Sequence, residues 1–423
     1  MLQSDSPQKS ANAPVSDSEK QSHLRYVARQ PILDRKGQLT AYELLFREGP
    51  QASFSGDGEN ATRTMLDNAL LFGFKKLTDG LPAFINCTAE ILTSNFVRIL
   101  PPEMVVLEIL ETVDPTPDLI STCLDLKNAG YRFALDDFEL RPGIDPLIEL
   151  ADFIKIDLMA SDRKARHQIL QRLGSHRPRL IAEKVEDQAQ YIEVFDEGFE
   201  FFQGYYFCRP KLLSHRRVPA NHRIRLELLL AIYDDPLDLP RITQMVKQDA
   251  ALTYRLLKLA NSPICAMRYE VRSVKAALVA IGDETFRRLA ALAITTELSS
   301  GQPSELLHLA FEQGRFCERG AAMAGLEPAE QYLLGLLSLL PAMLKLPMEE
   351  LITTLPLRKE ICQALIGNNP AERVLLDWHM AHTRGDWAAC DALANLYHLD
   401  PEKLLEGYSE AIEWASVALQ ISA

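Results

Sequence analysis

Residues 132–138 read RFALDDF and residues 153–157 read FIKID, two short apolar runs that close on acidic groups, the second with a lysine inside it. Runs of this length, rich in Phe, Ile and Leu and bounded by polar residues, read as buried strands. The pattern recurs in both directions along the chain. Further candidate strands are Tyr26–Leu33, Ala41–Arg47, Ala83–Cys87, Val105–Leu110, Leu180–Val185 and Phe201–Phe207. Helix-like segments lie between most of them, an alternation that predicts an α/β domain with a largely parallel sheet. Eight such strands fit a closed TIM-type barrel. The first two are joined only by the turn Asp34–Gln38 and are expected to be antiparallel, which makes the barrel a modified one.

The strand ends carry the chemistry. Asn86 follows Phe-Ile, Glu108 follows Val-Val-Leu, Asp136 and Asp137 follow Phe-Ala-Leu, and Glu183 follows Leu-Ile-Ala. The C-terminal ends of barrel strands gather on one face, so these groups are expected to form one site. Pooled carboxylates repel unless protons or cations compensate them, and hard oxygen donors select Mg²⁺, Mn²⁺ or Ca²⁺. Adjacent acids such as Asp136 and Asp137 can help to hold a second ion, and an ion pair clamps a water against a phosphodiester. Lys155, an ammonium within an apolar run, must find acidic partners or lose its proton.

Composition bounds the rest. The chain has 423 residues, 47% hydrophobic and 24% charged, with a formal net charge of −13. A duplex nucleic acid is an unlikely ligand for a chain without a Lys/Arg excess. The seven cysteines are widely spaced and odd in number, as expected of reduced thiols in a cytoplasmic protein. No apolar run reaches the roughly 20 residues of a membrane span. Residues 1–22 read as a disordered tail, 23–210 as the barrel, 211–224 as a linker and 225–423 as an all-helical domain.

In their order, these motifs resemble the EAL family of cyclic-di-GMP phosphodiesterases. The Glu-Ala-Leu strand end reads Glu43-Leu44-Leu45 here, and the match continues through Gln30-Pro31-Ile32, Asn86, Glu108 to Glu111, Asp136-Asp137-Phe138, Lys155 to Asp157, Ala182 to Glu186 and Gln203-Gly204-Tyr205. The resemblance implies that Glu43, Asn86, Glu108 and Asp136 ligate a first Mg²⁺ or Mn²⁺, with Asp137 at a second. It implies that Glu183 positions or deprotonates the water and that Lys155 holds it. Gln30, Arg47 and Gln203 are placed at cyclic di-GMP or beside its site, with Glu111 and Glu186 in support. The implied reaction opens one phosphodiester to give linear pGpG. Receptors that bind the dinucleotide without cleaving it, and protein-interaction scaffolds, are implied by the same fold. The chain departs from the family at Leu110 for Thr, at Lys184 for Gly, and at Glu139 to Gly143, which replaces a loop that places the second metal and couples the barrel to its dimer partner.

The helical half resembles the HDOD domain at Leu239-Pro240, Asp249 to Leu252, Leu259 to Pro263 and Val274 to Gly282. A related metal-dependent hydrolase needs a His-Asp pair. Where such a pair is expected the chain reads Gly335-Leu336-Leu337-Ser338-Leu339, and His308, His379, His382 and His398 are read as structural. The expected role is a non-catalytic signal-transduction output that docks a protein partner or a second copy of the chain as a homodimer. Tyr332 to Leu344 is expected in the core, and Trp378 and Trp387 at an exposed interface.

Overall fold

The computed structural model describes residues 25–48, 77–174, 178–204, 206, 220–233, 236–262, 265, 271–299, 302–353 and 357–422. The expected tail, most of the expected linker, Tyr205 and the side chain of Arg47 lie outside the described residues.

The eight strands are β1 (Arg25–Asp34), β2 (Leu39–Glu48), β3 (Ala83–Cys87), β4 (Val105–Ile109), β5 (Arg132–Leu135), β6 (Phe153–Asp157), β7 (Arg179–Glu183) and β8 (Phe201–Gln203), and they close into a barrel in sequence order. The strand β1 is antiparallel to both β2 and β8, whereas every pair from β2 to β8 is parallel. The β1–β2 turn is tied by Asp34, whose Oδ1 accepts from the Lys36 and Gln38 amides at 2.8 Å each.

One residue from each strand fills the barrel floor: Ile32, Ala41, Phe84, Val106, Ala134, Phe153, Ile181 and Phe201. Phe153 meets Phe84 and Phe201 edge to face, with ring centroids 5.2 and 5.9 Å apart. Each fully buried Ile or Phe in such a layer contributes about 1.5–3 kcal/mol. Alternate residues, including Leu44, Ile85, Leu107, Phe133, Ile154 and Phe202, face outward into a second core. The helices of this half are α1 (Ala89–Thr93), α2 (Pro117–Asn128), α3 (Asp145–Leu150), α4 (Arg163–Leu173) and α5 (Gln188–Asp196). Side-chain caps start α2, α4 and α5: Thr116, Asp162 and Asp187 accept from amides in the first turn of each.

The second half is helical throughout its described residues: α6 (Ala220–Ala231), α7 (Leu239–Lys247), α8 (Ala250–Ala260), α9 (Val274–Ile281), α10 (Asp283–Leu298), α11 (Ser304–Gly320), α12 (Pro328–Leu337), α13 (Leu340–Leu344), α14 (Met348–Ile352), α15 (Lys359–Leu365), α16 (Pro370–Thr383), α17 (Trp387–Leu396) and α18 (Pro401–Ser422). One apolar core runs from Leu226 to Ala418. The motif residues that resemble the HDOD domain hold this core together. Asp249 caps α8 by accepting from the Leu252 amide and pairs with Arg225 of α6, while Asn261 both donates to and accepts from the Val271 backbone. Helices α11 and α12 touch at Gly335, where a Cβ would sit 2.5 Å from the Gln313 carbonyl, so that only glycine fits the crossing.

Tyr332 to Leu344 lies largely in the core as expected, but Trp378 does not lie at an exposed interface. It is buried, stacked between Phe316 and His382, because its position on α16 faces inward rather than to solvent. Trp387 is half-buried with its ring edge against His382. No helix among the described residues is long and apolar enough to cross a membrane.

Candidate metal centre

The site is the layer of side chains directly above the barrel floor. Because strand side chains alternate, moving two residues along each parallel strand from its floor residue stays on the inner face. From Ala41, Phe84, Val106, Ala134, Phe153, Ile181 and Phe201 this step reaches Glu43, Asn86, Glu108, Asp136, Lys155, Glu183 and Gln203. On the antiparallel β1 the step runs backward, from Ile32 to Gln30, which the register sets opposite Glu43. An apolar layer of one residue per strand therefore carries a polar layer of one residue per strand.

Lys155 is the hub. Its Nζ lies 3.0 Å from Glu43 Oε2, 2.7 Å from Glu108 Oε1, 2.8 Å from Asp136 Oδ1 and 2.8 Å from Glu183 Oε1, with the lysine wholly buried. Around this ring the Asn86 amide donates to Glu43 Oε1 at 3.2 Å, and the Gln203 amide donates to both Glu43 Oε2 at 2.6 Å and Gln30 Oε1 at 2.7 Å.

One ammonium does not neutralise this layer. Burial, reinforced by Glu43, holds the Glu108 carboxyl well above the usual carboxylate range even against the pull of Lys155. Burial likewise pushes Glu183 up to about 8. The Lys155 ammonium is disfavoured by burial, but its carboxylate neighbours, Glu108 foremost, outweigh that and raise it well above its ordinary value. Without a further cation the layer thus retains protons near neutral pH. Buried Asn86 Oδ1, Glu108 Oε2 and Glu183 Oε2 have no hydrogen-bond partner in the protein. Asp136, Asp137 and Glu183 also bring ligand atoms within 4.8 Å of one another. Unsatisfied hard oxygens, excess negative charge and carboxyls close enough to share an ion fit a divalent oxygen-seeking cation.

The strand ends turn sharply to make this arrangement. Asp137, two residues past the end of β5, and Lys184, directly after β7, adopt left-handed backbone, φ +39° and +55°. That explains why β5 and β7 end earlier than their apolar runs suggest, and why a glycine would suit position 184. Lys184 accepts the strain and sets its Nζ 2.5 Å from Asp157 Oδ2. Gly204, at φ +141°, lets β8 pass against Val185, where a Cβ would come within 2.3 Å of the carbonyl.

Beside the layer lies a cleft of about 300 Å³ lined by Asp136, Asp137, Asp157, Glu111 and Arg141 among others. The altered segment Glu139 to Gly143 forms part of its wall. Arg141 pins it by donating to the Val113 carbonyl at 2.5 Å. Glu111 is exposed and lines the cleft, and Glu186 is exposed on the loop after β7. Arg47 lies on β2 opposite Tyr26. Asp157, the acid that closes FIKID, lines the same cleft, as its place at a strand end leads one to expect, and its pairing with Lys184 is set by the left-handed turn after β7.

The model of the EAL domain matches residues 82–210, and that of the HDOD domain matches residues 218–352. The Bacillus subtilis (strain 168) protein YuxH, described as uncharacterized, is 34% identical over 92% of this chain and 97% of its own length. The chain belongs to the EAL–HDOD family. A second relative, the cyclic di-GMP phosphodiesterase CdgJ of Vibrio cholerae serotype O1, is 33% identical over 93% of both chains. Among solved structures, an EAL domain protein from Listeria monocytogenes EGD-e aligns with 46% of this chain and 94% of its own at 21% identity and a TM-score of 0.37. The EAL model begins at residue 82, yet Gln30 and Glu43 join the same EAL layer from β1 and β2.

Proposed function

We propose that the chain is a metal-dependent phosphodiesterase that hydrolyses cyclic di-GMP to linear pGpG. The observation that carries this reading is the polar layer itself: four carboxylates within 3.0 Å of Lys155, with the second oxygens of Glu108 and Glu183 and the Asn86 amide oxygen buried and without a partner in the protein. In this reading Glu43, Asn86, Glu108 and Asp136 hold a first Mg²⁺ or Mn²⁺, and Asp137 contributes to a second. Bound there, such ions supply Lewis acidity toward the phosphodiester and acidify a water.

The remaining roles belong to the chain's own groups. Glu183, beside Asp136 and Asp137 at the end of β7 and 2.8 Å from Lys155, is placed to exchange a proton with the attacking water. Lys155 fixes the carboxylates around it and orients that water. Gln203 ties the substrate-facing Gln30 to Glu43. Arg47 supplies a positive charge for a phosphate, and Glu111 and Glu186 support the rim and the loop after β7. The similarity to CdgJ supports the choice of substrate. The test is incubation of the purified chain with cyclic di-GMP and Mn²⁺, followed by chromatography: pGpG is expected, and its absence with intact metal binding refutes the activity.

One observation favours a second reading, a receptor that binds the dinucleotide without cleaving it. The Lys184 ammonium, paired with Asp157, also acts on Asp137 and so places a fixed positive charge near the second metal position. Binding of cyclic di-GMP by calorimetry, with one Mn²⁺ per chain and no pGpG, would establish that version.

A further inference from the structure

The β1–β2 hairpin has no crossover helix of its own, since its strands are joined by a tight turn, and its outer face is covered by the helical half. The covering is polar and buried. Arg29, on the outer face of β1, donates from Nη1 to the Leu77 carbonyl at 2.9 Å and lies 3.2 Å from Asp79. Its Nη2 lies 3.2 Å from Glu312 Oε2 and within 3.2 Å of both ring nitrogens of His308. Its guanidinium also stacks 4.5 Å from the ring centroid of Tyr42 on β2. The Tyr42 hydroxyl donates to Glu305 at 3.2 Å, and His379 of α16 lies 2.9 Å from the other Glu312 oxygen. Glu305, His308 and Glu312 stand at i, i+3 and i+7, one face of α11.

These contacts fall beside the metal centre in the covalent chain. Arg29 precedes Gln30, and Tyr42 precedes Glu43; strand alternation sends the first of each pair outward to α11 and the second inward to the polar layer. Gln30 and Glu43 are register partners and are bridged by the Gln203 amide. A small cavity of about 20 Å³, room for about one water, lies between Gln30 and Gly204 on the barrel side and Glu305 and Glu312 on the helical side. The helical half thus holds both strands that present Glu43 and Gln30, each one peptide unit from its inward residue.

We propose that Arg29 and Tyr42 are positioning residues for the metal centre, through which α11 of the helical domain sets Glu43 and Gln30, so that the barrel's affinity for its metal depends on the state of the helical domain. This rests on the proposed reading of Glu43 as a metal ligand. It reverses the expected direction of signalling: the helical half acts on the barrel, and linkage requires that metal binding act back on the helical half with the same free energy. Glu312 sustains the seam as an anion; burial opposes its charge, but His379 and Arg29 pull its carboxyl down to about 2.

The test uses the full chain and Mn²⁺ alone, titrated by calorimetry at a temperature where each variant is folded by circular dichroism. Arg29→Met and Glu312→Gln are expected to weaken Mn²⁺ by about 10- to 100-fold, the range for groups that orient metal ligands. Tyr42→Phe, which removes one hydroxyl and preserves the packing, is expected to weaken it roughly two- to tenfold; it decides the matter if Arg29→Met does not fold. Arg166→Met is the control, since it removes a buried guanidinium that pairs α4 with Glu193 of α5 and with Glu197 just beyond that helix, groups that do not lie on β1 or β2. It should lose stability and keep its Mn²⁺ affinity. Unchanged Mn²⁺ affinity in the seam variants, or an equal loss in Arg166→Met, overturns the proposal. A wild-type chain that binds Mn²⁺ but yields no pGpG rejects the activity alone, and the Mn²⁺ comparison still decides this proposal; a wild-type chain that binds no Mn²⁺ overturns both.

Discussion

Replacing Lys155 by Met removes the one ammonium from a layer in which it touches Glu43, Glu108, Asp136 and Glu183 at 2.7–3.0 Å. Deleting one partner of a buried charge pair costs about 3–5 kcal/mol because the other charge is left uncompensated. The lower end applies where the carboxyls respond by taking up protons, and the raised Glu108 and Glu183 already favour that response. For a unit the size of the barrel each kcal/mol moves Tm by about 2–4 °C, so the variant should melt roughly 6–20 °C below the wild type in EDTA. Mn²⁺ should then separate the two proteins. Any ligand at a hundred times its Kd stabilises by about 2.7 kcal/mol, and the variant should gain more at a given concentration, because its carboxylates no longer share their charge with an ammonium. Melting curves in EDTA and across a Mn²⁺ series read both effects, and turnover should stay lost in the variant even when Mn²⁺ restores stability. An unchanged Tm in EDTA, or the same Mn²⁺ increment in both proteins, would refute the view that lysine and metal compensate the same carboxylates.

Glu43→Ala should abolish pGpG formation and weaken Mn²⁺ by more than about 100-fold, since it removes a ligand and the acceptor that orders Asn86 and Gln203; calorimetry with wild-type affinity would exclude Glu43 from the first metal site. The Glu305 carboxyl is raised by burial to about 8, against Arg29 nearby, with Tyr42, Glu312 and Asp79 also facing it. A carboxyl raised in the folded state keeps its proton where the unfolded chain has lost it, so this group lowers stability as pH rises from about 4.5 to about 8. Glu305→Gln should remove up to about 1.4 kcal/mol per pH unit of that decline; parallel urea-stability profiles for both proteins across the window would count against it. Lys184→Gly relieves a left-handed backbone and frees Asp157. Because the lysine is half exposed, its removal should tighten a second Mn²⁺ only roughly threefold, a change readable as a second calorimetric step.

Much of the candidate metal centre was legible because the closing of an apolar run on a polar group is a local property. Each apolar run closed on its own acid or amide, as at Glu108 after Val-Val-Leu and Glu183 after Leu-Ile-Ala, and strand alternation in the barrel turns those groups inward. The Lys155 partners followed from the cost of burying an ammonium, without any knowledge of where the acids would lie. Illegible were the elements that depend on approach between distant segments. Trp378 looked like an exposed aromatic, but the inward face of α16 exists only once α11 and α18 pack beside it. Asp157 gained its partner only when Lys184 turned left-handed. Arg29 and Tyr42 looked like ordinary strand residues, because the helices that receive them are more than 250 positions away.

By itself the sequence determined the eight strands, the polar layer they carry and the helical texture of the second half, since periodicity and the cost of burial act on neighbours in the chain. Only the tertiary structure decided that one lysine would meet four carboxylates at once, that Gln203 would bridge Gln30 to Glu43 across the closed barrel, and that α11 would close over the outer face of Glu43's own strand. Those outcomes depend on barrel closure and on the docking of two halves, where long-range packing rather than local propensity selects the contacts.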